Sequence, residues 1–158
     1  MKKRNRYELE LIKKSGKIAA AALRKALDSV KVGVSELAVD KIVNEEIHSL
    51  GGDLSYKTVP NYKYATCITV NEQVVHGIPT GRKFAKGDIV SIDLAVVYKG
   101  WHTDCAWSIL LGEDREKETF LKVGEEALWY AVTQAIRNNK VGDISYAIQS
   151  KLEGAGYH

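Results

Sequence analysis

Apolar positions along the first fifty residues recur at helical spacing. From about Tyr7 to Asp28, Leu9, Ile12, Ile18, Ala22 and Leu23 fall near one face of a helix. A second helix is predicted after Gly33, with Ser35 as its N-cap and Val39, Val43, Ile47 and Leu50 on one face. Gly51-Gly52 ends it. The period then changes to two. Residues 65–70 and 73–76 read as short strands around Asn71-Glu72, and Asp88 to Leu111 reads as a long hairpin. Past Gly112, Asp114 can cap a third helix running to about Arg137, and a fourth follows from about Asp143 to Glu153. The predicted class is α+β.

The pattern also repeats faintly. Lys31-Val32-Gly33 and Ala38-Val39 recur as Lys140-Val141-Gly142 and Ala147-Ile148. Ala22, Ala26 and Leu27 fall on Ala131, Ala135 and Ile136 at the same offset. Each unit would be two helices followed by β structure. The expected organisation is one domain over residues 1–158, with repeat one at about 7–113 and the start of repeat two at about 114–158. On that reading the second repeat stops before its strands.

The hairpin carries the candidate chemistry. In Ile89-Val90-Ser91-Ile92-Asp93-Leu94-Ala95-Val96-Val97-Tyr98 a single carboxylate interrupts an apolar strand, where Asp is disfavoured and an unpartnered buried charge is costly. The return strand, Trp101 to Leu110, holds a second at Asp104. A two-residue loop at Lys99-Gly100 sets Tyr98 opposite Trp101, Asp93 opposite Ala106 and Asp104 opposite Ala95. Both aspartates then share a face as diagonal neighbours roughly 7–8 Å apart. Ile92, Leu94, Val96, Tyr98, Trp101, Cys105, Trp107 and Ile109 fall on the other, apolar face. Lys-Gly is an indifferent turn, because a type I′ loop needs positive φ at both residues. Two like charges on a half-buried face call for positive charge between them. Divalent metal ions and pairing with Lys or Arg both remain open on spacing alone. His102 shares the face and reads as a hydrogen-bonding wall residue rather than a ligand.

Composition narrows the setting. The chain has 158 residues, 45% hydrophobic and 27% charged, with a net charge of +3, too small to argue for specific nucleic-acid binding. The basic start, Met1-Lys2-Lys3-Arg4-Asn5-Arg6, reads as a solvated terminus, with weak contact to ribosomal RNA as the other option. No apolar run is long enough to span a bilayer, so no membrane role and a cytoplasmic location are expected. Cys67 and Cys105 lie in apolar stretches outside any CxxC pair and read as buried thiols.

Three further segments, taken with the hairpin, carry a resemblance. They are Tyr64-Ala65-Thr66-Cys67-Ile68-Thr69-Val70-Asn71-Glu72, the loop Val75-His76-Gly77-Ile78-Pro79, and Lys86-Gly87-Asp88-Ile89-Val90-Ser91-Ile92-Asp93, with His102-Thr103-Asp104 following. In these the chain, from about Tyr7 onward, resembles the methionine aminopeptidases of type I, within the larger creatinase/aminopeptidase or "pita-bread" family. The resemblance implies a pita-bread fold with a pseudo-two-fold repeat. It implies hydrolytic removal of methionine from nascent polypeptide N-termini, with a pair of divalent metal ions (Co, Mn, Fe or Zn) as cofactors. Asp93 and Asp104 align with two of the family's five metal ligands, Asp93 chelating one ion and Asp104 bridging both. His76 aligns with the histidine that contacts substrate near the scissile bond, and Cys67 with a cysteine lining the methionine pocket.

The family pattern continues into a GHG-type loop and two acidic strands, which these residues do not contain. His158 falls before the position of that loop's histidine ligand and is not assigned to it. The chain therefore corresponds to about the first three-fifths of the usual length. It is expected to have little or no activity by itself, and to leave its first sheet with an uncovered edge and an exposed apolar face. Two other readings are an X-Pro aminopeptidase or dipeptidase relative, which usually carries an extra N-terminal domain, and a non-catalytic pita-bread binding module, which tends to lose the metal carboxylates.

Overall fold

A computed structural model describes residues 3–157. Four helices and one four-stranded antiparallel sheet make up the fold, in agreement with the α+β expectation. Helix α1 spans Arg6–Ser29 and is opened by a reciprocal capping box between Asn5 and Glu8, with both bonds at 2.8 Å. Helix α2 spans Glu36–Ser49, and Ser35 caps it as expected by accepting from the Ala38 amide. Strand β1 is Asp53–Leu54, followed by a 3₁₀ turn at Ser55–Thr58. Strands β2 (Thr66–Val70), β3 (Ile89–Tyr98) and β4 (Trp101–Leu110) complete the sheet. Helices α3 (Arg115–Gln134) and α4 (Val141–Gly154) follow. The chain divides into two compact units, the first ending at Gly112 and the second beginning at Glu113.

In the first unit β3 is central. It pairs with β4 along one edge and with β2 and β1 along the other. The hairpin register is the expected one: Tyr98 opposes Trp101, Asp93 opposes Ala106 and Asp104 opposes Ala95. Lys99 and Gly100 have φ of 49° and 79°, so the turn takes positive φ at both positions despite its poor residue for the first. Burial of one strand face outweighed the local cost. Ile68, Val70, Val90, Ile92, Leu94 and Val96 are buried with Val39, Val43 and Ile47 of α2 and the small residues Ala19, Ala22 and Ala26 of α1. Ser15 joins α1 to the sheet, donating to the Val96 carbonyl at 3.2 Å and pairing with the Thr103 hydroxyl at 2.8 Å.

The sequence reading needs correction in several places. Residues 73–76 are not a strand, because Asn71 turns with φ 56° and the Gln73 side chain folds back to accept from the Val70 amide at 2.8 Å. The uncovered sheet edge that was expected is that of β4, which pairs with no strand but β3 among the described residues, whereas the edge of β2 is closed. Its outward amides at Thr66, Ile68 and Val70 are taken by the Asp40 carboxylate, the Gly77 carbonyl and Gln73. Leu9, placed on the apolar face of α1, is exposed.

In the second unit α3 ends at Gln134 rather than near Arg137. Asn138 takes φ 77° there, and the Asn139 side chain donates to the freed Gln134 carbonyl at 3.0 Å. Helix α4 begins two residues before Asp143, whose carboxylate accepts from the Lys140 amide. Ala127, Ala131 and Ala147 are buried, while Leu128, Val132, Ile136 and Ile148 are exposed, so an apolar face stands open on these helices; the first sheet, where one was expected, buries Ile68, Val70, Val90, Ile92, Leu94 and Val96 with α1 and α2. At the common offset the counterparts of the exposed four are Ala19, Leu23, Leu27 and Val39, all packed in or against the first unit's core. His158 lies outside the described residues.

Candidate active site

The sheet face turned away from α1 and α2 collects the candidate residues. Across the strands Cys67, Asp93 and Ala106 form one row, and Ala95 with Asp104 the next. Asp93 stands where a strand interior normally takes an apolar or β-branched residue, and its Oδ1 is buried without a hydrogen-bond partner. Burial pushes its carboxyl above the usual range, and the nearby Asp104 charge adds to this. The Tyr56 hydroxyl and His76 pull the other way. His76 therefore lies near enough to act on that charge, although its loop is well separated in sequence and the side chain is exposed. The structure thus brings Asp93, Asp104 and Cys67 to one face of the sheet, with His76 near enough to act on the Asp93 charge.

Local geometry explains how His76 is held. Its φ is 55°, a left-handed conformation uncommon outside glycine and enriched at functional sites. The next residue, Gly77, lies flat against β2: its carbonyl accepts from Ile68 at 2.9 Å. A Cβ there would run into the Ile68 carbonyl oxygen and come within 3.0 Å of the Thr69 methyl. Only glycine lets the loop approach the strand this closely.

Two tyrosines that sequence reasoning passed over belong to the site. Tyr62 donates to the Thr66 carbonyl at 2.6 Å, lies 3.3 Å from the Cys67 sulfur, and meets Tyr56 edge-to-face with ring centroids 5.4 Å apart. Burial raises both phenols above the ordinary range, helped at Tyr56 by the Asp93 charge and at Tyr62 by Cys67. The signal was present as Tyr56, Tyr62 and Tyr64 crowded into a short loop before β2. His102 bonds through Nδ1 to the Ser55 hydroxyl at 2.7 Å and stands at the rim. Cys105 faces the core side, with its thiol pushed up to about 11 by burial and the two aspartates. Cys67 and Cys105, two free thiols on opposite faces with β3 between them, cannot bridge.

The donor set suits a hard divalent cation in kind. A buried, partnerless carboxylate oxygen beside a second carboxylate is what such an ion satisfies. It falls short in number. Among the described residues no group of three or more His, Cys, Asp and Glu side chains converges to hold a metal.

A pair of carboxylates shares one face of an antiparallel sheet backed by two helices, with the His76 loop close enough for its charge to act on Asp93. The sequence model of metallopeptidase family M24 matches residues 10–158, and the chain belongs to that family. Among its relatives are methionine aminopeptidases from Clostridium perfringens, 34% identical over 98% of this chain and 62% of that protein, and from Aquifex aeolicus, 36% identical over 95% and 61%. The chain thus spans about three-fifths of the length of the curated relatives it matches. The crystal structure of a methionine aminopeptidase from Thermotoga maritima superposes with a TM-score of 0.93 at 36% identity, covering 99% of this chain and 64% of that one. Prolidase from Pyrococcus furiosus, at 21% identity and a TM-score of 0.85, shares the fold. No helix among the described residues is long and apolar enough to cross a membrane.

Proposed function

We propose that this chain supplies part of the active site of a metal-dependent aminopeptidase that releases methionine from the N-termini of new polypeptides. The observation that carries this reading is the partnerless, buried Oδ1 of Asp93 on the same face as Asp104. Asp93 and Asp104 would hold divalent metal, with the identity among Co, Mn, Fe and Zn left to measurement. When bound, such ions supply Lewis acidity to a peptide carbonyl and to water. The chain's own groups do the rest. Tyr56 directs its hydroxyl at Asp93 and steadies the charged carboxylate. His76, close enough for its charge to act on Asp93, would contact substrate next to the bond that breaks. Cys67, flanked by Tyr56 and Tyr62, offers a soft, polarizable lining for a methionine side chain. The two separated free thiols suit the cytoplasm. The basic start, where Arg4 lies over the Trp101 ring at 4.7 Å, could make weak, salt-sensitive ribosome contact.

Two carboxylates are fewer than a dinuclear centre needs, so residues 1–158 alone should hydrolyse slowly or not at all. Titration of the metal-free chain with Mn²⁺ in a calorimeter should give binding that Asp93→Ala abolishes; unchanged affinity would defeat the metal assignment. A Met-Ala-Ser peptide incubated with the Mn²⁺-supplemented chain should release little methionine. Turnover near an ordinary enzyme's ~10 s⁻¹ would refute the expected inactivity.

A further inference from the structure

Helix α2 opens with Glu36, a carboxylate only 2% exposed, at a position where acidic residues normally sit in solvent. Its Oε2 receives two bonds from one residue of the loop beyond His76: the Thr80 amide and the Thr80 hydroxyl, each at 2.8 Å. Four main-chain bonds run alongside. Leu37 donates to the Thr80 carbonyl and Glu36 to the Arg82 carbonyl, both at 3.0 Å; Gly33 donates to Phe84 at 2.8 Å, and Phe84 to Val34 at 2.9 Å. The loop is thus tied at Thr80 to α2 and at Gly77 to β2, with only Ile78 and buried Pro79 between. His76 precedes the first tie in a left-handed conformation that costs free energy unless its surroundings impose it.

We propose that Glu36 is a positioning residue of the candidate active site: its buried carboxylate clips Thr80 and thereby holds the Gly77 segment against β2 and His76 in place. The functional weight of this rests on the reading of His76 as a substrate-contacting group; the clip does not. Of the ties between α2 and the loop, only this one uses a charged acceptor, and charge-assisted hydrogen bonds are about twice as strong as neutral ones. It also lies at the end of the strap nearest His76. A helix-capping role alone would require neither burial nor convergence of both Thr80 donors on one oxygen.

The test is site-resolved amide exchange on the full chain, read at Ile68, whose N–H is bonded to Gly77, together with the His76 Cα and Cβ shifts, which report its φ. In Glu36→Ala the Ile68 amide should exchange about tenfold faster or more, and the His76 shifts should leave the left-handed range. Amides of Leu94 and Cys105 inside the β3–β4 ladder should change by less than about twofold. Glu36→Gln should fall between the parent and Glu36→Ala in both readouts, because one amide oxygen can still accept from both Thr80 donors but carries no charge. If Glu36→Ala does not fold, Thr80→Val decides, since it removes one donor at an exposed position; Ile68 exchange should still speed up several-fold. Unchanged Ile68 exchange in either variant, or acceleration of all amides together, would overturn the proposal. An unaltered Mn²⁺ affinity in Asp93→Ala would remove the metal reading and leave the clip standing.

Discussion

Replacing Asp93 by Asn should stabilise the metal-free protein. Asp93 and Asp104 are diagonal neighbours across β3 and β4, a relation that places their backbones ~7–8 Å apart. Two unit charges at that distance repel by about 0.5 kcal/mol at water's dielectric and about 2 kcal/mol at an effective value near 20. Asp104 is exposed and Asp93 only partly so, which favours the middle of that range, about 1 kcal/mol. Asn keeps the shape and can still accept from the Tyr56 hydroxyl, so the change removes charge and little else. The folded-state pKa of Asp93 lies above its unfolded value, so the charged carboxylate counts against folding. That cost is absent at low pH, where both states are protonated, and sets in as pH rises through the folded pKa. Urea unfolding in EDTA at pH 7 should therefore show the variant more stable by about 1 kcal/mol, a rise in midpoint of some 2–4 °C in a thermal scan. The gain should vanish near pH 3. Added Mn²⁺ should stabilise the parent chain and leave the variant unmoved. A variant less stable than the parent at pH 7, or a gain of equal size at pH 3, would show that the carboxylate serves folding rather than a ligand.

Burial raises the Asp40 carboxyl as well, but here hydrogen bonds decide the outcome of substitution, since Oδ1 accepts from the Ala65 and Thr66 amides at 2.9 Å and the Thr66 hydroxyl at 2.7 Å. Asp40→Ala leaves these buried donors unpaired and should cost about 3–5 kcal/mol in urea unfolding, whereas Asp40→Asn, which keeps an acceptor oxygen, should cost under about 1.5 kcal/mol; equal losses would contradict the hydrogen-bond account. Gly77→Ala drives a methyl into the Ile68 carbonyl and should cost about 2–4 kcal/mol, with a lowered urea midpoint as the readout and an unshifted midpoint as the refutation. Lys99→Asn places a residue tolerant of positive φ in the hairpin turn and should gain about 0.5 kcal/mol; any loss in a thermal scan would speak against the type I′ assignment.

Where many residues encode one fact redundantly, that fact was legible. The β3–β4 register is such a case: eight apolar side chains fall on one face only if Tyr98 meets Trp101, and a one-residue slip would turn the four on β4 to the opposite face. A poor turn dipeptide could not outweigh that, and Lys99 accepted a positive φ. Residues 73–76 failed for want of the same redundancy, since alternation across four residues is weak evidence and the reversal depends on one side chain, Gln73. The buried acids were harder still. Glu36 and Asp40 lie on the stripe that continues through Val43 and Ile47 at four-residue and three-residue steps, so periodicity marked them as interior while their charge marked them as surface. That conflict was itself the signal. A carboxylate occupying an apolar position survives there only with donors aimed at it or with a cation to come. Glu36 and Asp40 have the donors, in Thr80, Ala65 and Thr66. Asp93 breaks a strand's apolar run in the same way, and its Oδ1 has none. The partner count separates Glu36 and Asp40, satisfied within the fold, from Asp93, whose Oδ1 is left open for the proposed metal.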